Sequence, residues 1–105
     1  MIHVLALITA IPGKRAELLA AIQANTPAVL AEEGCIAYGV AVDAADPAPV
    51  WTALGPDTVA IIEQWQSRAA LRQHATAPHM AAYAAAVKDI VARRVIHVLD
   101  PVPGA

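Results

Sequence analysis

The chain has 105 residues, of which 58% are hydrophobic and 15% charged, and its formal net charge is −2. This length suits one domain, and the hydrophobic content excludes a disordered chain. The slightly acidic balance provides no basic surface for nucleic acid, and no apolar run approaches the roughly 18 residues of a membrane-spanning helix.

The N-terminal segment is apolar, and its first basic residues follow the apolar run. Because this order is the reverse of a secretory signal, we expect a cytoplasmic protein. Cys35 is the only cysteine, which excludes an internal disulfide and a cysteine-based metal cluster. We expect a single domain over residues 1–105, with a proline-rich tail from about residue 100.

The first part of the chain predicts a strand followed by a helix. Residues 2–10 are apolar and end at a Pro-Gly pair, which is typical of a strand entering a turn. Residues 14–33 place apolar side chains three, four and seven positions apart, which indicates an amphipathic helix that ends at Gly34. Pro27 predicts a kink in this helix, because proline lacks the backbone donor.

The middle of the chain predicts a second strand and an irregular connection. Residues 35–42 alternate between larger and smaller side chains, so Ile36 and Tyr38 are expected on the same face. Residues 43–57 are rich in proline and predict a loop. The segment around Trp51 is a candidate for a short edge strand, and the loop is a candidate wall of a ligand pocket.

The clearest strand signal covers residues 58–66, where alternate side chains share one face. The residues on that face are Val59, Ile61, Glu63 and Trp65. Ser67 is the expected N-cap of a short helix over residues 68–76. Pro78 begins another helix, and residues 94–99 form the last strand.

The predicted order is β-α-β-β-α-β, with the second helical element broken in two, which is the ferredoxin-like arrangement of the α+β class. Right-handed crossovers place the helices on one face of a four-stranded antiparallel sheet. All strands carry large apolar residues at both odd and even positions, and therefore on both faces of the sheet. The face without helices must then also be shielded from water. We therefore expect a homodimer whose sheets pack face to face.

Three segments carry a resemblance to a known family: MIHVLALITAIPGKRAELLAAI, AEEGCIAYGVAVD and IIEQWQSRAALRQHATAPHMAAY. The most specific part is the E-x-W-x-S motif from Glu63 to Ser67, followed by His74 and by Pro-His-Met at 78–80. On these residues the chain resembles the antibiotic biosynthesis monooxygenase superfamily, which includes cofactor-independent quinol monooxygenases. The resemblance covers nearly the whole chain and implies a dimeric α+β barrel that needs no cofactor.

The resemblance implies a reaction in which a small electron-rich aromatic substrate, a quinol or phenol, reduces dioxygen after a base removes its proton. Histidine suits that base, because its ionisation lies near neutral pH. His74 and His79 are the candidate catalytic residues. They lie five positions apart with Pro78 between them, which differs from the spacing of two metal ligands on one helical face, so no metal is expected.

Five residues are candidate substrate contacts, and the first two are Trp65 and Glu63. The family tryptophan at the position of Trp65 lines the pocket, where it would stack on a planar substrate; plain core packing is the alternative. Glu63 shares its face and would be desolvated inside a barrel, with either a raised pKa or a cationic partner such as Arg93 or Arg94. The alternative for Glu63 is a salt bridge between subunits.

The other three candidates are two tyrosines and an asparagine. Tyr38 and Tyr83 are placed to donate hydrogen bonds to a substrate oxygen, or are buried tyrosines whose hydroxyls reach solvent. Asn25 lies beside the kink expected at Pro27, where an amide and a freed carbonyl would meet a ligand. Local satisfaction of the kink is the alternative for Asn25.

Two other functions fit the same framework. An isomerase of a small carbonyl or phosphorylated metabolite also needs a base beside a hydrogen-bond donor. A non-catalytic stress-response protein would bind a small apolar ligand, and its mark would be a wholly apolar cavity with every histidine outside. The resemblance disfavours haem degradation, because the first strand carries no asparagine, whereas haem-degrading members of the superfamily typically carry one there.

Overall fold

The computed structural model describes residues 1–46 and 50–104. In chain order the elements are β1 (Ile2–Ala10), α1 (Arg15–Leu30), β2 (Cys35–Ala41), β3 (Thr58–Trp65), α2 (Arg68–Ala75), α3 (Pro78–Val87) and β4 (Val91–Leu99). Within the described ranges, no helix is both long and apolar enough to cross a membrane.

The four strands form one antiparallel sheet in the order β2-β3-β1-β4, which is the ferredoxin-like order. The predicted α+β fold, with its second helical element broken in two, is confirmed. The central strand β1 alternates strictly between buried and half-buried positions. Its buried side chains pack under the helices, and they are Ile2, Val4, Ala6, Ile8 and Ala10.

Helix α1 joins the sheet through three side chains that have almost no exposed area, Leu18, Ile22 and Val29. Burial of each contributes about 1.5–3 kcal/mol to folding. The helix continues through Pro27 to Leu30, so the proline does not end it. The hydroxyl of Thr26, the residue before the proline, donates a hydrogen bond to the carbonyl of Ile22 one turn back, at 2.7 Å.

The predicted side-chain alternation of β2 is wrong at its start. A β-bulge lies between Cys35 and Ala37, which pair with neighbouring residues of β3 although they are two positions apart. The extra residue, Ile36, is therefore exposed, and Cys35 packs on the core face together with Tyr38. Tyr38 packs on the core face, and Ile36 does not share that face with it, although the sequence predicts that it does.

The segment around Trp51 does not form the predicted edge strand, and its indole is 65% exposed. The carboxylate of Asp43 instead closes this part of the connection by accepting hydrogen bonds from the backbone N–H groups of Leu54 and Gly55. These two hydrogen bonds lower the pKa of Asp43. Residues 47–49 of the connection lie outside the described residues.

The turn after α1 packs closely against the start of α2. Ser67 is the N-cap of α2, as predicted, because its side chain accepts a hydrogen bond from the backbone N–H of Ala70 at 3.1 Å. Gly34 lies against this first turn with a φ of +86°, and a Cβ at Gly34 would lie 2.5 Å from the Cβ of Ala70. Glycine is therefore required here both by the backbone conformation and by the space available.

Replacing Gly34 by alanine should destabilise the fold more than the same change at Gly13. The two glycines have similar φ angles, +86° and +82°, but a Cβ at Gly13 would meet no atom within 4 Å. We expect Gly13→Ala to lower the free energy of unfolding by about 1–2 kcal/mol through backbone strain. We expect Gly34→Ala to cost about 1–3 kcal/mol more through its contact with Ala70. Urea denaturation measures both costs, and equal costs would contradict the close packing.

Candidate active site

A cavity of about 510 Å³ lies between the helix-covered face of the sheet and helices α2 and α3. This volume is typical of small-molecule sites. Most of the wall is apolar and comes from β1, β4, α2 and α3. Six polar side chains also line it: Tyr38, Glu63, His74, Thr76, Tyr83 and Arg94.

Strand pairing brings several of these polar side chains to one face of the sheet. Tyr38 on β2 and Val4 on β1 are the two cross-strand partners of Glu63 on β3. Cross-strand partners project to the same side of a sheet. Arg94 on β4 pairs with Ile8 of β1, another residue of the inward face, and so also reaches the cavity wall.

His74 lies on α2 and is 5% exposed. Its Nδ1 lies 2.6 Å from Oε2 of Glu32, and its ring centroid lies 4.6 Å from that of Trp65. Because a carboxylate accepts, Nδ1 is the nitrogen that donates in this pair. Nε2 is therefore the nitrogen left to accept a proton from a molecule in the cavity that His74 lines.

Glu32, in the turn after α1, is a residue of this site that the sequence analysis missed. Its side chain is 16% exposed, and the same Oε2 also lies 3.4 Å from Nε2 of His79. The second contact is an ion-pair distance without hydrogen-bond geometry. In sequence, Glu32 is one of two adjacent glutamates before a glycine, which is typical of a solvated turn. No local signal connects it with His74, which lies 42 positions away.

His79 and Asn25 lie outside the cavity, in a groove of about 290 Å³ lined by residues of α1 and α3. The amide nitrogen of Asn25 donates to the sulfur of Met80 at 3.3 Å. Its oxygen accepts from Nδ1 of His79 at 3.0 Å. Of the two histidines predicted to be catalytic, the structure thus places His74 in the cavity wall and His79 in the groove. Within the described ranges, no three His, Cys, Asp or Glu side chains are grouped to hold a metal ion.

Trp65 is fully buried and is not among the residues that line the cavity. Its indole N–H donates a 2.8 Å hydrogen bond to Oε1 of Glu63, two positions earlier on the same face of β3. Trp65 also packs against Ile2, Val4 and Val29 in the core. It therefore contacts the candidate site through Glu63 and His74.

Glu63 is a carboxyl group in the cavity wall and is 6% exposed. Burial raises its pKa, while the hydrogen bond from Trp65 and the nearby His74 act in the opposite direction. Of the two alternatives for a desolvated Glu63, the raised pKa is the one found, and in the described residues neither Arg93 nor Arg94 forms an ion pair with it as a cationic partner. The indole of Trp65 takes the place of that partner.

Tyr38 and Tyr83 both line the cavity. Burial raises the pKa of each hydroxyl, and the nearby Glu63 carboxyl raises that of Tyr38 further. Arg94 opposes the increase at Tyr83. Both phenols therefore keep their protons at neutral pH and are available as hydrogen-bond donors.

Comparison with known proteins shows similarity along nearly the whole chain. A family model described as antibiotic biosynthesis monooxygenase matches residues 1–86. The chain is 40% identical over 103 residues to the Escherichia coli (strain K12) protein named "Probable quinol monooxygenase YgiN", covering 96% of this chain and 98% of that one. The solved structure of Rv0793 from Mycobacterium tuberculosis has 28% identity and a TM-score of 0.80, with 99% and 97% of the chains covered. PA3566 from Pseudomonas aeruginosa has 26% identity and a TM-score of 0.79, covering 96% and 93%.

Replacing Glu63 by glutamine should stabilise the protein increasingly as pH rises. The pKa of Glu63 is raised above its ordinary value of 4.5. The stability contributed by the neutral carboxyl is therefore fully present below that value and is lost as pH rises through the folded-state pKa. Glutamine still accepts from Trp65 but does not ionise, so Glu63→Gln should match the wild type near pH 4 and exceed it at pH 8.

Urea denaturation of both proteins at the two pH values measures this difference. Glu33→Gln, which removes an exposed carboxylate from the turn after α1, is the control for a general loss of negative charge. A Glu63→Gln variant that loses stability relative to wild type between pH 4 and pH 8 would contradict the assignment of Glu63 as a desolvated acid.

Proposed function

Because this chain belongs to the antibiotic biosynthesis monooxygenase family, we propose that it is a cofactor-independent monooxygenase. Its substrate is a small electron-rich aromatic, a quinol or phenol, which it oxidises with dioxygen. The observation that carries the proposal is a buried histidine, His74, which lines a mostly apolar cavity and is held at Nδ1 by a carboxylate. A positioned base in a cavity that excludes water is what this chemistry requires of a protein.

Removal of the hydroxyl proton turns the substrate into an electron donor. Nε2 of His74 takes this proton, and the resulting phenolate gives one electron to dioxygen far more readily than the neutral phenol does. The resulting phenoxyl radical and superoxide then combine at a ring carbon. Loss of water from the hydroperoxide, with return of the proton, leaves a quinone, so that a phenol with a free ring position plus O2 becomes a quinone plus H2O.

The remaining polar side chains support the anion that forms in the cavity. Tyr38 and Tyr83 retain their protons at neutral pH and can donate to a substrate oxygen. Arg94 supplies a positive charge in the same wall. The apolar remainder of the wall suits an aromatic ring, and a ring bound there would exclude water and so strengthen these electrostatic interactions.

The position of His74 also bears on the two alternative functions. A non-catalytic binding protein is expected to have every histidine outside its cavity, and His74 in the wall does not fit that expectation. An isomerase would use the same base without oxygen. Turnover under anaerobic conditions therefore distinguishes an isomerase from the proposed monooxygenase.

We expect His74→Ala to lower the rate of oxygen uptake with an active quinol by about 10²–10⁴-fold, which is the usual contribution of a general base. Gln73→Ala, an exposed change on the same helix, is the matched control and should retain the wild-type rate. His79→Ala should cost less than His74→Ala, because His79 lies outside the cavity.

The measurement is oxygen consumption by chelator-treated protein over a panel of quinols, with the protein-free autoxidation rate subtracted. Consumption should equal one dioxygen per molecule of substrate oxidised. Wild-type uptake no faster than autoxidation for every quinol would overturn the monooxygenase proposal. Unchanged uptake in His74→Ala would instead overturn the choice of base.

The homodimer and the cytoplasmic location expected from the sequence are also part of this proposal. The face of the sheet opposite the helices carries large apolar side chains beside polar ones such as His97 and Gln64, and no helix of the described residues covers it. On this face Leu5 and Leu7 are half-buried, whereas Ile62 is 55% and Leu99 is 47% exposed. A second copy packed on this face would remove that apolar area from water.

Ile62→Lys should therefore convert the dimer to a monomer, since it places a charge at the centre of the proposed interface. Val50→Lys, at an apolar side chain that is 85% exposed in the long connection, is the control and should stay dimeric. Sedimentation equilibrium at micromolar concentration gives the mass of each protein. A monomeric wild type, or a dimeric Ile62→Lys variant, would show that this face is not the interface.

A further inference from the structure

The carboxylate of Glu32 does not line the cavity, yet it contacts the one histidine that does. Its Oε2 lies 2.6 Å from Nδ1 of His74, a short distance typical of a charge-assisted hydrogen bond. The Glu32 side chain is 16% exposed and the His74 side chain 7%. Water therefore competes little for either partner, and the pair orders the imidazole ring strongly.

The turn that carries Glu32 is itself held at several points. The backbone N–H of Glu32 donates to the carbonyl of Val29, and its own carbonyl accepts from Cys35. Two positions further on, the carbonyl of Gly34 accepts from the backbone N–H of Gln66 at 2.8 Å. These contacts position the Glu32 side chain relative to α2, which carries His74.

The carboxylate also has a second neighbour. Nε2 of His79 lies 3.4 Å from the same Oε2, and Nδ1 of His79 donates to Asn25 at 3.0 Å. Asn25 in turn donates to the sulfur of Met80. Asn25 thus orients the ring of His79 beside the carboxylate, which lies at ion-pair distance from His79 but forms its hydrogen bond with His74.

We propose that Glu32 is the positioning residue of the base His74. Its carboxylate keeps the proton of the neutral imidazole on Nδ1, aims Nε2 at the cavity, and stabilises the positive charge that His74 gains when it takes the substrate proton. The expected effect of Glu32 on turnover rests on the proposed function, because it requires that His74 acts as the base. The tautomer and orientation of His74 follow from the contact with Glu32 alone.

Several ionisable groups surround His74 and must be considered with Glu32. They come from four elements of the fold: Glu32 from the turn after α1, Tyr38 from β2, Glu63 from β3 and His79 from α3. Among them, Glu32 is the one that forms a hydrogen bond with His74. Its removal should therefore change the behaviour of His74 more than removal of any other.

The first test compares Glu32→Gln with Glu33→Gln, two adjacent substitutions that remove the same charge. We expect Glu32→Gln to lower kcat for quinol oxidation by on the order of 10- to 100-fold with little change in KM, as for other groups that orient a reacting side chain. The acidic limb of its pH–rate profile should move to lower pH, because the imidazolium loses its anionic neighbour. Glu33→Gln, whose side chain is exposed, should keep the wild-type values.

The second test does not use activity. In ¹⁵N-detected NMR of the wild type above neutral pH, His74 should carry its proton on Nδ1, whereas free histidine favours Nε2. Glu32→Ala should move His74 toward the Nε2-protonated form. Spectra of the wild type alone are informative if the variant does not fold.

The two tests separate the positioning role from the proposed function. A wild type without oxygen uptake but with His74 protonated on Nδ1 would overturn the monooxygenase and leave Glu32 as the residue that orients this histidine. His74 protonated on Nε2 in the wild type would overturn the positioning role. An unchanged kcat in Glu32→Gln, or an equal loss in Glu33→Gln, would also overturn it.

Discussion

The turn after α1 meets the first turn of α2 at a distance that excludes a side chain on Gly34, and the arrangement of the site depends on this contact. A Cβ at that position would lie 2.5 Å from the Cβ of Ala70, so a larger residue would push the two segments apart. Glu32 and His74 lie on the two segments, and their 2.6 Å hydrogen bond requires the same approach. A backbone constraint without any chemistry of its own thus determines where the candidate base lies.

A second constraint comes from placing ionisable groups in an apolar wall. Each buried polar group needs a partner, because an unpaired one costs about 1–3 kcal/mol. His74 is satisfied by Glu32, and Glu63 by the indole of Trp65. Neither Glu32 nor Trp65 lines the cavity, so His74 and Glu63 each keep a further hydrogen-bonding atom for a ligand. A ligand bound against the apolar remainder of the wall would exclude water from these groups.

The fold and part of the site follow from short-range patterns in the sequence. Alternation along β3 predicts that Glu63 and Trp65 share a face, and the Ser67 cap marks the start of α2, because each signal lies within a few residues. The partner of Glu63 was not predictable in this way, since the indole hydrogen bond depends on side-chain rotamers. Glu32 was missed because its contact with His74 spans 42 positions. The exposed Ile36 was missed because a bulge interrupts the alternation.

The close contact between the tilted rings of Trp65 and His74 provides an intrinsic fluorescent probe of the site. A protonated imidazole quenches the fluorescence of an adjacent indole, and the ring centroids of Trp65 and His74 are 4.6 Å apart. The only other tryptophan, Trp51, is 65% exposed and emits at longer wavelength because water surrounds it. The blue edge of the emission spectrum therefore belongs to the fully buried Trp65, and it offers a probe of the surroundings of His74 without any added label.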